Sequence, residues 1–145
     1  MNTDKHGLLQ EELTDKIIGV FYEVFNELGH GFLESVYEQA MFKALTQAGL
    51  KVERQVPIPV WFRGEQIGDF RADLLIDGKV LVELKAVHNL DSTHEAQVLN
   101  YLRATTIEVG LLRNFGPRPQ LRRLLFTNDR KNIRVHPCES VAKGS

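Results

Sequence analysis

The 145-residue chain has a single cysteine, Cys138, so an internal disulfide is excluded and a reducing compartment is the expected setting. It has one tryptophan, two methionines and five prolines. No apolar run comes near the ~18 residues that a membrane-crossing helix needs. The start, MNTDKHGLLQEEL, has no basic stretch leading into an apolar one. That speaks against a secretory leader and for a cytoplasmic protein with no membrane partner. Repeats, low-complexity tracts and flexible linkers are also missing. What is present is the mix of a folded globular chain, 43% hydrophobic and 26% charged. The length suits one domain with its own core, expected over about residues 9–135, with a disordered tail at 136–145.

The net charge of −1 conceals a division. Residues 1–102 hold nine Lys or Arg against sixteen Asp or Glu, whereas residues 103–145 hold nine against three. A basic last third of this kind marks a candidate polyanion-binding surface, with Arg113, Arg118, Arg122 and Arg123 as the expected contacts to nucleic acid.

Apolar positions at Leu9, Leu13, Ile17, Phe21, Val24 and Leu28 predict a first helix over residues 8–28. A second is expected from about Leu33 to Ala48, with Val36, Tyr37, Ala40, Met41, Ala44 and Leu45 inward and Gly49 just past its end. VERQVPIPVWF alternates as a strand, and its two prolines place it at a sheet edge or a bulge. Two further strands, 66–76 and 79–87, flank Asp77-Gly78 and are expected to pair antiparallel. Ser92-Thr93-His94-Glu95 reads as a capping box opening a third helix that runs to about Ala104. Strands near 108–115 and 121–127 follow, with a short one near 132–135. The order α-α-β-β-β-α-β-β implies an α/β (α+β) domain around a central mixed sheet.

Three polar residues interrupt these apolar strands. Glu83 and Lys85 lie two apart on one strand and share a face, and Asp73 lies on its neighbour. Burying such charges unpaired is costly. Two carboxylates converging from adjacent strands form an oxygen-rich site suited to a hard divalent cation such as Mg²⁺ or Mn²⁺. A lysine beside them can orient a water or stabilise charge on a phosphate. Strand register decides whether the acids meet. A two-residue Asp77-Gly78 loop would put Asp73 opposite Val82, on the other face from Glu83. A three-residue loop with a bulge, pairing Leu75 with Lys79, would put Asp73 and Glu83 diagonally on one face. The metal reading therefore requires the shifted register. Gln97 and Tyr101 are four apart on the third helix and project together. Glu34 and Tyr37 are three apart near the start of the second. Each of these four residues also has an ordinary structural reading, as a helix-end charge, a solvated amide or a core aromatic with a wet hydroxyl.

Asp73, Glu83-Leu84-Lys85 and Gln97-x-x-x-Tyr101 together resemble the PD-(D/E)XK nuclease superfamily, in its RecB-like branch with a Q-x-x-x-Y helix. Gly31-Phe32-Leu33-Glu34-Ser35-Val36-Tyr37 is similar to the motif that names the GxxExxY family within it. The resemblance spans about residues 9–127. It departs from the superfamily name in having Ala72, not proline, before Asp73. It implies a restriction-endonuclease-like core and Mg²⁺-dependent hydrolysis of phosphodiester bonds, with DNA as the expected partner. In that role Asp73, Glu83 and the Leu84 backbone carbonyl would hold the metal, and Glu34 would complete the acidic cluster. Lys85 would activate the attacking water, and Gln97 and Tyr101 would orient the site or the phosphate.

Two other readings stand beside this one. The scaffold can serve as a nucleic-acid-binding or protein-interaction module without chemistry. His88 and His94, six apart, can be read as transition-metal ligands. The first helix and the proline-bearing strand are candidate surfaces for a homodimer contact.

Overall fold

A computed structural model describes residues 9–131. Helix α1 spans Glu11–Leu28 and α2 spans Glu34–Gln47. α1 buries Ile17, Val20, Phe21 and Val24, a stripe that includes Val20, while Leu9, Leu13 and Leu28 pack at its margin. α2 buries Tyr37, Met41 and Leu45 but leaves Val36 exposed. Its end is closed by two bonds, Gly49 N–H to the Thr46 carbonyl and Leu50 N–H to the Leu45 carbonyl, so Gly49 takes the expected place just past the helix.

Five strands follow the two helices, with the third helix among them: β1 (Val52–Phe62), β2 (Glu65–Ile76), β3 (Val80–Lys85), α3 (Ser92–Arg103), β4 (Val109–Phe115) and β5 (Pro119–Leu125). A short 3₁₀ turn covers Asn128–Arg130. The expected strand near 132–135 and the tail lie outside the described residues. The sheet runs β1-β2-β3-β4-β5, antiparallel throughout except for the parallel β3–β4 pair. That one parallel pair needs a long crossover, and α3 supplies it. β1 is an edge strand, the position its prolines favour, and its register shifts at Val60/Trp61. Among the described residues no helix is long and apolar enough to cross a membrane.

α1 and α2 cover one face of the sheet, packing on Leu74, Ile76, Val80, Val82, Val109, Leu111 and Phe115. α3 covers the other, setting Val98 and Leu102 over Leu81 and Leu112. It lies so close that a Cβ on Gly110 would meet Val98 at 2.7 Å. The helix begins one residue before the predicted box. Asp91 is the N-cap, accepting from the Thr93 and His94 amides, and the His94 ring accepts the Asp91 N–H at 3.0 Å. A carboxylate that takes two orphan N–H groups outcompetes the Ser92 hydroxyl. The same bond occupies His94 Nδ1 and so weighs against the His88/His94 metal pair.

The crossover loop is fastened by one buried amide. Asn114 accepts from Val87 N–H and donates to the Val87 carbonyl, both at 2.9 Å, and also donates to Gln120 Oε1 at 3.0 Å. Gln120 Oε1 in turn accepts Leu90 N–H. Replacing Asn114 with alanine would leave the half-buried Val87 N–H and carbonyl without this partner. The expected cost is about 2–4 kcal/mol, readable as a lower midpoint in urea at unchanged m.

Candidate active site

Between β2 and β3 the ladder runs Ile76↔Val80, Leu75↔Leu81 and Leu74↔Val82. Lys79 N–H closes the turn on the Ile76 carbonyl over Asp77 (φ 53°) and Gly78 (φ 67°). Lys79 itself stays outside the ladder. The connection is thus a three-residue loop, the parity that the metal reading requires. The pairing differs from the predicted Leu75–Lys79, and continuing it places Asp73 directly opposite Glu83 rather than diagonal to it. Asp77 tolerates its left-handed backbone because its carboxylate accepts Lys51 N–H at 2.9 Å while its own N–H bonds the Lys51 carbonyl.

At that point side chains replace the ladder. Asp73 N–H donates to Glu83 Oε1 at 3.0 Å, and Leu84 N–H donates to Asp73 Oδ2 at 2.8 Å. Each carboxylate therefore caps a backbone amide of the opposite strand, and β2 and β3 are joined through the two acids. Glu83 is 4% exposed. Burial, then the Asp73 charge, pushes its carboxyl up to about 8, against the pull of the Asp73 N–H and of Lys85. Asp73 is also raised, first by burial and then by Glu38 and Glu34, against the Leu84 N–H and Lys85. The two acids thus share a site in which both charges are disfavoured, and the half-buried Lys85 only partly offsets them.

α2 brings two more acids alongside. Glu34 Oε2 accepts Ala86 N–H at 3.2 Å, just past β3. Glu38, one turn later, accepts from Gln55 Nε2 at 2.8 Å and from Arg54 Nε at 3.3 Å. Gln55 also reaches Asp73 Oδ1 at 3.4 Å, and its own backbone is left-handed at φ 51°. A non-glycine residue in that region inside a strand costs about 1–3 kcal/mol and marks a site that holds it there. The sequence reading missed both Glu38 and Gln55. Glu38 had a signal, being four residues from Glu34 on the same helix, whereas Gln55 had none.

The loop before α2 explains its Gly-x-x-Glu-x-x-Tyr spacing. Gly31 sits at φ 115°, which side chains rarely adopt. Tyr37 is fully buried, stacks on Phe115 with ring centroids 4.0 Å apart, and donates its hydroxyl to the Gly29 carbonyl at 2.6 Å. Glycine shapes the loop, tyrosine pins it, and Glu34 is carried to β3. On the face that α3 covers, which Glu83 shares with Leu81, Gln97 Nε2 donates to the Tyr101 hydroxyl at 3.0 Å. Burial, then the Glu83 charge, holds that phenol above its usual range, so it stays a proton donor at neutral pH.

The predicted basic contacts do not form one surface. Arg113 is fully buried, its guanidinium 5.4 Å from the centre of the Phe21 ring, so it is not presented to a surface phosphate. Burial pushes it down to about 10, which keeps it charged at neutral pH. Its Nε and Nη2 have no hydrogen-bond partner among the described residues. Arg122 pairs with Glu95 of α3 at 3.1 Å, and Arg123 on the opposite face of β5 donates to the Leu9 carbonyl. Arg118 is exposed in the turn after β4, at the end of the sheet where Lys85 pairs with Asn114.

A mixed sheet with helices on both faces, and an acid pair plus lysine where two strands part, is the frame of one known family. The model of the PD-(D/E)XK nuclease superfamily matches residues 11–124. The chain belongs to the PD-(D/E)XK nuclease superfamily. Asp73, Glu83 and Lys85 all fall within the stretch that matches this superfamily. No curated protein has a significantly similar sequence. A solved structure titled "Crystal structure of SSO0001" is similar at 16% identity and a TM-score of 0.49, over 75% of this chain. The chain spans 57% of that protein's length.

The donor set fits a hard divalent cation. Asp73 and Glu83 each commit one oxygen to a backbone amide; the other carries at most the long Gln55 contact among the described residues. No three acidic, histidine or cysteine side chains among the described residues converge into a ready-made cage. Glu34 therefore stands beside the acid pair and does not close a three-carboxylate site with it. Two carboxylates are nonetheless a common protein share of a Mg²⁺ shell, which otherwise takes water and substrate phosphate.

Proposed function

We propose that the protein is a divalent-metal-dependent nuclease that hydrolyses phosphodiester bonds in DNA, of the GxxExxY group with a RecB-like Q-x-x-x-Y helix. The observation that carries this reading is the acid pair, Asp73 facing Glu83 across the strands with Lys85 on the same side. An isolated structural ion pair would not need a second carboxylate whose charge disfavours that of the buried Glu83. Asp73, Glu83 and the Leu84 carbonyl would hold Mg²⁺ or Mn²⁺, which when bound supplies charge neutralisation at the phosphate. Lys85 would orient and help deprotonate the attacking water. Tyr101, protonated and held by Gln97, would donate to a phosphate oxygen. Glu34, engaged by Ala86 N–H, would act on the site through a water.

The test is incubation with Mg²⁺ or Mn²⁺ and a mixture of single- and double-stranded DNA, comparing wild type with Lys85→Ala. Metal-dependent shortening of the DNA is expected. It should fall about a hundredfold or more in the variant, with metal affinity little changed. A wild type that cuts neither form with either ion would overturn the proposal.

A further inference from the structure

The hairpin of β1 and β2 extends beyond β3 and leaves Trp61, Phe62, Ile67 and Phe70 exposed. So many large apolar side chains on one projecting element call for a partner. Trp61, Phe62 and Phe70 line a groove of about 570 Å³ together with Arg103, Phe126 and Arg130. Both guanidiniums lie over the Phe126 ring, at 5.1 and 5.3 Å from its centre. A second depression of about 320 Å³ shares Val60, Phe70 and Asn100 with the first and ends at Gln97 and Tyr101. Among the described residues neither is lined by a carboxylate.

We infer that this groove binds an unpaired stretch of DNA, its bases stacked on Trp61, Phe62 and Phe70 and its phosphates beside Arg103 and Arg130, and leads it to the Asp73/Glu83/Lys85 site. Three observations select this occupant. Flat aromatic faces beside guanidiniums suit nucleobases joined by phosphates. The acid-free, cationic lining complements a polyanion, in contrast to the carboxylate-rich site it adjoins. The groove also runs toward that site, since the second depression reaches Gln97 and Tyr101, and the Phe70 and Tyr101 ring centroids lie 6.2 Å apart. A duplex keeps its bases stacked inside and cannot offer their faces to the hairpin. The inference rests on the nuclease reading for its strand and names the form of DNA that reading leaves open.

Trp61 is the only tryptophan, so it reports directly on its own groove. The experiment titrates the full-length protein with an oligothymidylate in EDTA, where metal-dependent cleavage cannot occur, and follows tryptophan fluorescence. Saturable quenching is expected, with at least tenfold weaker binding of a duplex of equal length. Phe62→Ala, at a ring 55% exposed in the fold, should weaken oligothymidylate binding about tenfold. Arg103→Gln should make log Kd less steep in log salt by about 0.7. Absent quenching, equal affinity for duplex, or unchanged affinity in Phe62→Ala would overturn the inference. So would self-association that buries Trp61, detected by sedimentation without DNA. Cleavage of DNA without quenching would sink the groove and leave the nuclease reading; quenching by a protein that cuts nothing with metal would do the reverse.

Discussion

Asp73→Asn should abolish metal-dependent DNA cleavage while leaving the fold intact. The amide oxygen can still accept Leu84 N–H, the 2.8 Å bond that joins β2 to β3, so the strands stay connected. What disappears is one of two negative charges that the proposed cation would neutralise. A loss of about three orders of magnitude in rate is expected, on the order of 4 kcal/mol of transition-state stabilisation. Thermal stability without metal should hold or rise, because burial, Glu38 and Glu34 all disfavour the Asp73 charge. The check pairs a gel-based cleavage assay with a thermal melt of the same sample. A variant that cuts DNA at the wild-type rate would remove Asp73 from the chemistry. A variant that melts far earlier would make it a structural acid instead.

Glu83→Gln should stabilise the metal-free protein at alkaline pH. In the folded chain the Glu83 carboxyl is pushed up to about 8 from an ordinary 4.5. Between those values the native state holds a proton that the unfolded chain has released. The stability contributed by that proton is therefore complete below about pH 4.5 and is lost as pH climbs through 8. Glutamine imitates the protonated acid at every pH and keeps an oxygen for Asp73 N–H. Wild type and variant should be nearly equal near pH 5. At pH 8.5 the variant should be more stable by roughly 2 kcal/mol, or about 4–8 °C in Tm. Mg²⁺ should raise the wild-type Tm more at pH 8.5 than at pH 6 and should leave the variant's unchanged. Melts across pH 5–9 with and without Mg²⁺ decide this. Parallel pH profiles for the two proteins would mean that Glu83 is not the buried acid described. Stability and the proposed metal binding would thus oppose each other at this position, as expected where a site holds charges that folding alone would reject.

Much of this was legible in the chain itself. The eight helices and strands of the described residues follow from hydrophobic period and turn residues, and the two prolines of β1 place it at an edge. Asp73, Glu83 and Lys85 stood out because charges inside apolar strands conflict with their surroundings. Sequence narrowed their meeting to a question of loop parity. It could not supply the pairing, which depends on Lys79 closing the Asp77-Gly78 turn and then leaving the ladder. The burial of Arg113 escapes the pattern for a related reason. β4 is covered on both faces, so alternation does not say which of its residues lies beneath α1. Arg122 and Arg123 are adjacent in sequence and alike in charge, yet a strand sends neighbours to opposite faces. Arg103 and Arg130, from the same basic third, meet at the groove only because β5 and the turn after it bring Phe126 between them. Gln55 left no trace in the pattern, since its importance lies in a backbone angle and in a carboxylate eighteen residues away.

The proposal that Asp73 and Glu83 together hold a divalent cation rests on one exchange, the ion for the proton that Glu83 otherwise holds. Its most direct test is calorimetric titration of Mn²⁺ into wild type and Asp73→Asn at pH 7, in two buffers of different ionisation enthalpy, with and without a DNA oligonucleotide. The account predicts binding to wild type with release of close to one proton per ion, and none to the variant. Absence of Mn²⁺ binding by wild type, even with DNA present, would contradict it.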